Sequence, residues 1–334
     1  MATPVGANDV TAIVNRFLMD ELTDVVYPSN TLTFRWNRMN KITQQGGYQI
    51  EAPLLYTKMS AGGWFSGYQT LTITPTDAVK NLAWDWKFAY VPIVVDWTTL
   101  VKVDNPRALY NYIAQRWQQG EMEIADILGF GLWGTAISTD GTTPPDALNP
   151  DGLKTIIDNG TVNATYAGNT RAGFNSTSAL NAQIDSTSST LTTNVLEDLW
   201  ISCSDGARHP TVIFSRKEQY ARYYKTQLQF TQWTVPAGGI DEVQATAGFS
   251  NLTFNQVPWI IDSHVFDGPS TANSAICMLN EDYLEVVVSE NGDFYMEPFQ
   301  TALNQAAMVG KLYWAGNVTC TAPYKQGKLT NISA

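Results

Sequence analysis

The sequence predicts an α+β fold, and three observations support this prediction. A helical pattern of apolar residues runs through 105–134. Before it, large apolar side chains recur at every second residue from Leu82 to Tyr90, which is typical of a strand with one covered face. After residue 193, two helical segments and several short strand-like runs are separated by turn residues. Blocks of strands and helices without a regular βαβ repeat indicate the α+β class.

The composition excludes some classes of function. Only 15% of the 334 residues are charged, compared with roughly 25% in typical soluble domains. A surface poor in charge suits contact with other subunits, because charged residues are depleted from the cores of interfaces. The formal net charge of −11 argues against a nucleic-acid-binding surface, which depends on clusters of Lys and Arg. The length suggests two or three structural units.

The cysteines and the hydropathy pattern bear on the compartment. Cys203, Cys277 and Cys320 are widely spaced and odd in number, so we expect reduced thiols and no disulfide framework. The first residues contain neither a basic region nor an apolar core, so we expect no signal peptide. No apolar run approaches the ~18 residues of a membrane span, so we expect no membrane partner.

The first 45 residues are interpreted as an arm. The pattern at 8–24 predicts an amphipathic helix, whose apolar face carries Val10, Ile13, Val14, Phe17, Leu18 and Leu22. After Pro28 the segment 31–40 is interpreted as extended, with Phe34 and Trp36 on one side. This part has too little apolar content to fold alone, so we expect it to lie on another surface.

A two-stranded ribbon is predicted between Gly46 and Trp86. Its glycine-rich tip at 60–67 carries Trp64 and Phe65. The returning strand is expected to continue to Tyr90, with one face formed by Leu82, Trp84, Trp86, Phe88 and Tyr90. Because an isolated two-stranded ribbon is marginally stable at best, these aromatic side chains must pack on the chain itself or on a neighbour.

The longest helix is predicted at 105–134. Asp104 or Asn105 can cap it, and Pro106 suits the first helical position because its missing N–H has no partner there. We expect Gly129, Gly131 and Gly134 to stop the helix, with close packing around them.

The second half predicts a loop-rich unit followed by further strands. Residues 140–193 are rich in Asn, Ser, Thr, Gly and Ala. Capping boxes at Asn194 and Ser215 predict two helices. Strands are predicted at 211–214, 228–235, 252–262, 274–279 and 283–288. We interpret Asn291–Gly292 as a hairpin turn, and the tail 308–332 as mostly extended.

No catalytic residue, cofactor site or metal site is predicted. The stretch 129–134 matches G-x-G-x-x-G, but the helix precedes it, whereas a dinucleotide motif needs the helix to follow. His209 and His264 are interpreted as surface or loop residues, outside any zinc-binding pattern. The acidic pairs are interpreted as solvated faces: Glu121/Glu123, Glu197/Asp198, Asp241/Glu242 and Glu281/Asp282.

The order of elements from Gly46 to Gly134 resembles that of the Hong Kong 97-type major capsid proteins of tailed double-stranded DNA bacteriophages. In that family an N-terminal arm leads into a projecting β-hairpin (the E-loop), then into a strand and a long spine helix. Here the strand is KFAYVPIVVD at 87–96. Further stretches also resemble the family: PTVIFSRKEQYARYYKTQ at 210–227, GFSNLTFNQVPWIID at 248–262 and AMVGKLYWAGNVTCTAPYKQGKLTNI at 307–332.

The resemblance implies four parts of the fold. These are an N-terminal arm at 1–45, an E-loop hairpin at 46–86, a P domain formed by 87–139 and 281–334 that includes the spine helix 105–134, and an A domain at 140–280.

The resemblance also implies a function: a structural, non-enzymatic subunit that self-assembles through hexamers and pentamers into the icosahedral shell enclosing phage DNA. Its location would be the virion, after assembly in the bacterial host cytoplasm. Separate scaffolding, portal and cement proteins are candidate partners, and contact with packaged DNA would be weak and non-specific. The candidates for contact between subunits are Phe17, Phe34, Trp36, Trp64, Phe65, Trp84, Trp86 and Phe88.

Two alternatives stay open. An encapsulin-like compartment shell protein would share every feature above but enclose enzymes. A secreted carbohydrate-binding or glycoside-acting protein would instead use the eleven tryptophans for stacking on sugars, together with paired carboxylates.

Overall fold

Two β-sheets and one long helix form the framework of the chain. The computed structural model describes residues 30–59, 62–71, 73, 78–102, 106–134, 148–172, 174, 178–187, 190–228, 252–266 and 275–332. The predicted helix at 8–24, with Phe17, lies outside these described residues, as does nearly all of the predicted strand at 228–235.

The bounds of the described elements are as follows. The helices are α1 (Thr31–Arg38), α2 (Trp97–Lys102), α3 (Pro106–Trp133), α4 (Leu153–Ile156), α5 (Thr193–Cys203) and α6 (Lys217–Leu228). The strands are β1 (Ile42–Gln45), β2 (Ile50–Leu55), β3 (Val79–Trp84), β4 (Lys87–Asp96), β5 (Thr165–Tyr166), β6 (Asn169–Thr170), β7 (Gln183–Asp185), β8 (Val212–Ser215), β9 (Thr253–Phe254), β10 (Val257–Ile261), β11 (Ile276–Leu279), β12 (Leu284–Ser289), β13 (Tyr295–Thr301), β14 (Ala307–Cys320) and β15 (Gly327–Leu329).

Strand β14 is the centre of a five-stranded sheet. It pairs with β4 on one edge, and with β13 and β12 on the other, while β1 extends the sheet beside β12. In β4 the side chains of Val91, Ile93 and Val95 are buried. Helix α3 covers this face, and Gly120 allows the close approach, because a Cβ there would lie 3.1 Å from Ile93 Cγ1. The sheet therefore has one face packed on the long helix.

The predicted hairpin at Asn291–Gly292 is wrong. Strands β12 and β13 pair with successive parts of β14 along the edge opposite β4, and both run antiparallel to it. Gly316 of β14, for example, pairs with Lys87 of β4 on one side and with Val288 of β12 on the other. The chain continues past Gly292 without reversing, and the backbone N–H of Ala315 donates to the Gly292 carbonyl. The long β14 offers hydrogen bonds to both strands, and this tertiary pairing overrides the local turn preference. The reversal comes later, between β13 and β14.

A six-stranded sheet, in the order β7-β15-β11-β8-β10-β9, forms the second layer. Its strand β15 comes from the C-terminal tail, which the sequence assigned to the P domain together with the rest of 281–334. Cys203, Cys277 and Cys320 are free and buried. Burial raises the pKa of each of these thiols to about 12.

The predicted strand from Leu82 to Tyr90 is divided between two sheets. Strand β3 pairs with β2 and ends at Trp84, and β4 begins at Lys87. Leu82 and Trp84 are buried, whereas Phe88 and Tyr90 are exposed. The alternation of buried and exposed side chains thus reverses at residues 85–86. The reversal occurs because the chain leaves the hairpin there and enters the five-stranded sheet, whose opposite face is covered by α3.

The extended conformation predicted for 31–40 is wrong, because α1 is a helix. Leu32 and Trp36, four residues apart, are buried on one side, and Phe34 is exposed on another. This spacing places Leu32 and Trp36 on one helical face. The Asn30 side chain donates from Nδ2 to the Ala125 carbonyl at 2.6 Å, which ties the start of α1 to the long helix.

Helix α3 confirms the predicted long helix, its start at Pro106 and its stop at Gly134, but Gly129 and Gly131 do not stop it. Gly129 and Gly131 lie inside the helix, and only Gly134 follows its end, with φ +75°. That left-handed conformation is typical of the residue after a helix. The two inner glycines allow close packing: a Cβ on Gly129 would lie 2.9 Å from Asn30 Nδ2, and one on Gly131 3.3 Å from Pro150 Cδ.

Candidate assembly surfaces

The distal part of the hairpin presents apolar side chains to solvent. Trp64 is fully exposed, and Phe65 is 67% exposed. We name this the hairpin surface: Leu55, Met59, Trp64, Phe65, Tyr68, Leu71, Ile73 and Val79, all of them exposed. Single exposed apolar residues are ordinary, but contiguous apolar surface marks an interaction site. Trp64 and Phe65, both predicted as contact candidates, lie on this surface.

The base of the hairpin is anchored in the chain's own core. Trp84 is 1% exposed, and its ring packs edge-on against Tyr166, with 6.0 Å between the ring centroids. The backbone N–H of Ala83 donates to the Ala167 carbonyl at 3.2 Å, so the β5–β6 turn continues the pairing of β3. The Trp84 side chain is buried within its own chain, so it offers little surface to a neighbouring subunit.

Trp86 and Trp36 also contact residues of their own chain. Trp86 is half-buried, and its Nε1 donates to the Gly47 carbonyl at 2.9 Å across the base of the hairpin. Trp36 is fully buried on the inner face of α1, so its ring, like that of Trp84, packs within the chain. Phe34, by contrast, remains 46% exposed.

Phe34 borders an open apolar groove between α1, β10 and α6. We name it the α1–β10 groove; its volume is about 820 Å³, and it is lined by Thr31, Phe34, Arg35, Arg38, Met39, Tyr220, Pro258, Trp259, Ile260 and Ile261. Phe34, Met39 and Ile261 are each more than 40% exposed. The sequence analysis missed this groove. Its lining comes from three distant stretches, and an extended 31–40 would not have formed the helical wall.

The outer face of the five-stranded sheet, opposite α3, is a further apolar surface. Strand pairing places Tyr313 directly opposite Tyr90 on one side and Tyr295 on the other, so three tyrosines form a row. Phe88 and Val94 are exposed on the same face of β4. Phe88, a predicted candidate, thus lies on what we name the outer sheet face. Large apolar residues at even-numbered positions of 88–94, between the buried odd-numbered positions of 91–95, are the sequence signal that could have revealed this face.

The polar clusters join separate elements of the fold. His264 Nδ1 lies 3.0 Å from Asp262 Oδ1, and His264 Nε2 lies 3.8 Å from Asp126 Oδ1. The hydrogen bond to Asp262 raises the pKa of His264, although partial burial opposes it. Burial would raise the pKa of Asp262, but hydrogen bonds from His264 and Trp133 outweigh burial and lower it. This cluster joins α3 to the loop after β10.

Other candidate groups are also engaged structurally. Glu281 was expected on a solvated face, but it is buried and accepts two hydrogen bonds of 2.7 Å from Arg35. The exposed His209 stacks on Trp200, with 5.7 Å between the ring centroids. Within the described parts of the chain, no cluster of three potential metal ligands occurs, and no helix combines the length and apolar character that a membrane span requires.

Most tryptophans in the described part of the chain are unavailable for stacking on sugars. Six of them lie in the protein interior: Trp36, Trp84, Trp117, Trp133, Trp259 and Trp314. Their rings pack against neighbouring side chains of the core, and this argues against the carbohydrate-binding alternative.

Comparisons with known proteins identify the fold. No protein-family model and no curated protein matches the chain. The capsid asymmetric unit of cyanophage A-1(L) matches at 14% identity and TM-score 0.61, over 88% of this chain and 91% of that one. The holo-SrpI encapsulin complex from Synechococcus elongatus PCC 7942 matches at 12% identity and TM-score 0.53, over 91% and 89%. The capsid of a native GTA particle matches at 12% and 0.53, over 90% of each chain. These likenesses confirm the α+β class and the Hong Kong 97-type fold.

Proposed function

We propose that this chain, which has the Hong Kong 97-type fold, is the major capsid protein of a bacteriophage. Copies would assemble through hexamers and pentamers into an icosahedral shell that encloses phage DNA. The observation that carries this proposal is the hairpin surface: a hairpin anchored at its base by Trp84 but exposing Trp64 and Phe65 at its far end. An apolar hairpin held out from the body suits burial against another copy.

The distribution of apolar surface supports assembly from many contacts. The hairpin surface and the outer sheet face lie on different elements, and closed symmetric assemblies need several complementary surfaces on each subunit. Aromatic side chains are enriched in interface cores because each buries a large area. We propose Trp64, Phe65, Phe88 and the exposed part of Trp86 as contact residues.

The proposal extends to location and partners. The protein would reside in the virion after assembly in the host cytoplasm, with scaffolding, portal and cement proteins as separate partners. The net charge of −11 supports only weak, non-specific contact with packaged DNA, because tight binding would need neutralisation of phosphates by Lys and Arg. We also propose the division into arm, E-loop, P domain and A domain, with β15 returning to the A-domain sheet.

Deletion of the hairpin tip tests the proposal. Removal of residues 60–67 should leave a folded subunit that forms no closed particles, because the described pairing of β2 with β3 and the Trp84 contacts lie outside the deletion. Particles would be counted by negative-stain microscopy, and folding would be checked by circular dichroism. The matched control is Val162→Ser with Ile201→Ser, two exposed apolar positions outside the three surfaces, which should assemble normally. Normal particles from the deletion variant would contradict the proposal.

A compartment shell is the second candidate, because an encapsulin complex is among the structures of the same fold. It differs in its contents. Particles purified from the native source should protect DNA from nuclease if the protein is a phage capsid. Particles that contain protein cargo and no protected DNA would instead favour the compartment shell.

A further inference from the structure

The α1–β10 groove is an open apolar site with Arg38 at its rim, a positive charge that no other described residue neutralises. Its volume of about 820 Å³ lies within the ~300–1,000 Å³ of typical binding pockets. Arg35 is neutralised by Glu281, since two of its nitrogens lie 2.7 Å from the carboxylate oxygens. Arg38 forms no hydrogen bond or ion pair with any other described residue and is exposed. A matching ligand would therefore present an apolar face bordered by negative charge.

One segment of this chain has those properties. The sequence pattern at 8–24 predicts an amphipathic helix with Phe17 at the centre of its apolar face. The segment carries four carboxylates against the single Arg16, and three of them cluster at its C-terminal end: Asp20, Glu21 and Asp24. Acidic and basic partners of this kind give electrostatic complementarity, and an amphipathic helix in an apolar groove is a common mode of recognition.

The chain connection makes this segment available to the groove. Residue 24 is separated from Thr31, which lines the groove, by the six residues 25–30. Such a connection spans up to ~20 Å when extended, which is enough to fold back along α1. A short tether also keeps the segment at a high effective concentration near the groove.

We propose that the α1–β10 groove binds residues 8–24 of the same chain, with Phe17 against the apolar floor and Asp20, Glu21 and Asp24 toward Arg38. Docking would cover Phe34, Met39 and Ile261 in the subunit. This inference does not depend on shell formation, because both partners belong to one chain.

Disulfide trapping in the full-length protein tests the proposal. The double variant Phe17→Cys with Ile261→Cys should form an intrachain disulfide at least ~10-fold faster than Asn15→Cys with Ile261→Cys, because the short tether favours the pair that is held in contact. Asn15 is the matched control, since it lies on the opposite face of the predicted helix. The three natural cysteines are buried with pKa values of about 12, so they should not compete under native conditions.

The outcomes separate the inference from its alternatives. Thiol counting after denaturation, with peptide mapping, identifies the linked residues. A non-reducing gel separates intrachain from interchain products. Adding Arg38→Glu should slow the Phe17–Ile261 disulfide, and adding Asp20→Lys with Glu21→Lys to that variant should restore its rate. Equal rates for the two pairs, or an interchain product, would overturn the assignment to the same chain. Failure here with intact particles would leave the proposed shell function standing.

Discussion

Trp64 and Trp84 belong to the same hairpin but have opposite environments. Trp64 is fully exposed near the far end, whereas Trp84 is 1% exposed at the base, beneath the β5–β6 turn and against Tyr166. Both are tryptophans, so residue type does not explain the difference. What differs is the presence of a covering element from the same chain. The hairpin therefore has a base that contributes to folding and an outer part whose apolar surface is available for association.

The largest expected effect on stability is the difference between alanine substitutions at Trp84 and at Trp64. Trp84→Ala should lower the free energy of unfolding by ~3–5 kcal/mol, because it removes a buried ring and leaves a cavity. Trp64→Ala should change it by less than ~0.5 kcal/mol, because little of the chain contacts that side chain. Urea unfolding of the unassembled subunit measures both values.

Assembly should show the reverse order for these two variants. Trp64→Ala should reduce the yield of closed particles although the subunit remains fully folded. Comparable destabilisation by both substitutions would contradict the division of the hairpin into a folding base and an associating outer part.

The same division explains how far the sequence could be interpreted. The helix beginning at Pro106 and the strand 87–96 were predictable, because each has a periodic pattern that one packing partner accounts for. The change of phase at 85–86 was not predictable, because the alternation of large apolar residues continues through it while the covering element changes. Helix α1 was missed because Leu32, Phe34 and Trp36 fit a period of two as well as a helix in so short a segment.

The predicted contact residues fall into two groups, those that the same chain covers and those that stay exposed. Sequence alone marks aromatic residues on a strand as needing cover, but it does not show which chain provides the cover. Other parts of the same chain cover Trp36 and Trp84, whereas Trp64, Phe65 and Phe88 stay exposed among the described residues. The α1–β10 groove depends on tertiary contacts between α1, β10 and α6, so no local pattern could reveal it.

Helix α3 allows an intermediate effect to be tested at two of its glycines. Gly129→Ala should destabilise the subunit by ~1–3 kcal/mol, because the new Cβ would lie 2.9 Å from Asn30 Nδ2 and 3.0 Å from the His264 ring. Gly120→Ala should be nearly neutral. Its Cβ meets only the Ile93 and Val91 side chains, at 3.1 Å or more, and the ~1 kcal/mol gain in helix propensity offsets that contact.

Thermal unfolding of both variants measures this difference, with wild type as the reference. Equal destabilisation would show that the packing between α3 and β4 is as rigid as the packing around Asn30 and His264. In that event the tight contacts of the long helix would not be concentrated at its C-terminal end.

The smallest expected effect is a pH dependence at His264, where α3 meets the loop after β10. The hydrogen bond to Asp262 raises the pKa of His264 above the ordinary 6.5, so protonation stabilises the folded state. That contribution is fully present below the unfolded pKa of 6.5 and is lost as the pH rises through the higher folded value. The lowered pKa of Asp262 affects stability at a lower pH, since its contribution is lost only as the pH falls below the ordinary 3.8.

His264→Gln should therefore lower the free energy of unfolding more below pH 6.5 than at a pH above the raised folded-state pKa of His264. Urea unfolding of both proteins across that range measures the difference, and a stability gap that stays constant or widens with rising pH would show that the contact between α3 and this loop does not depend on the charge of His264.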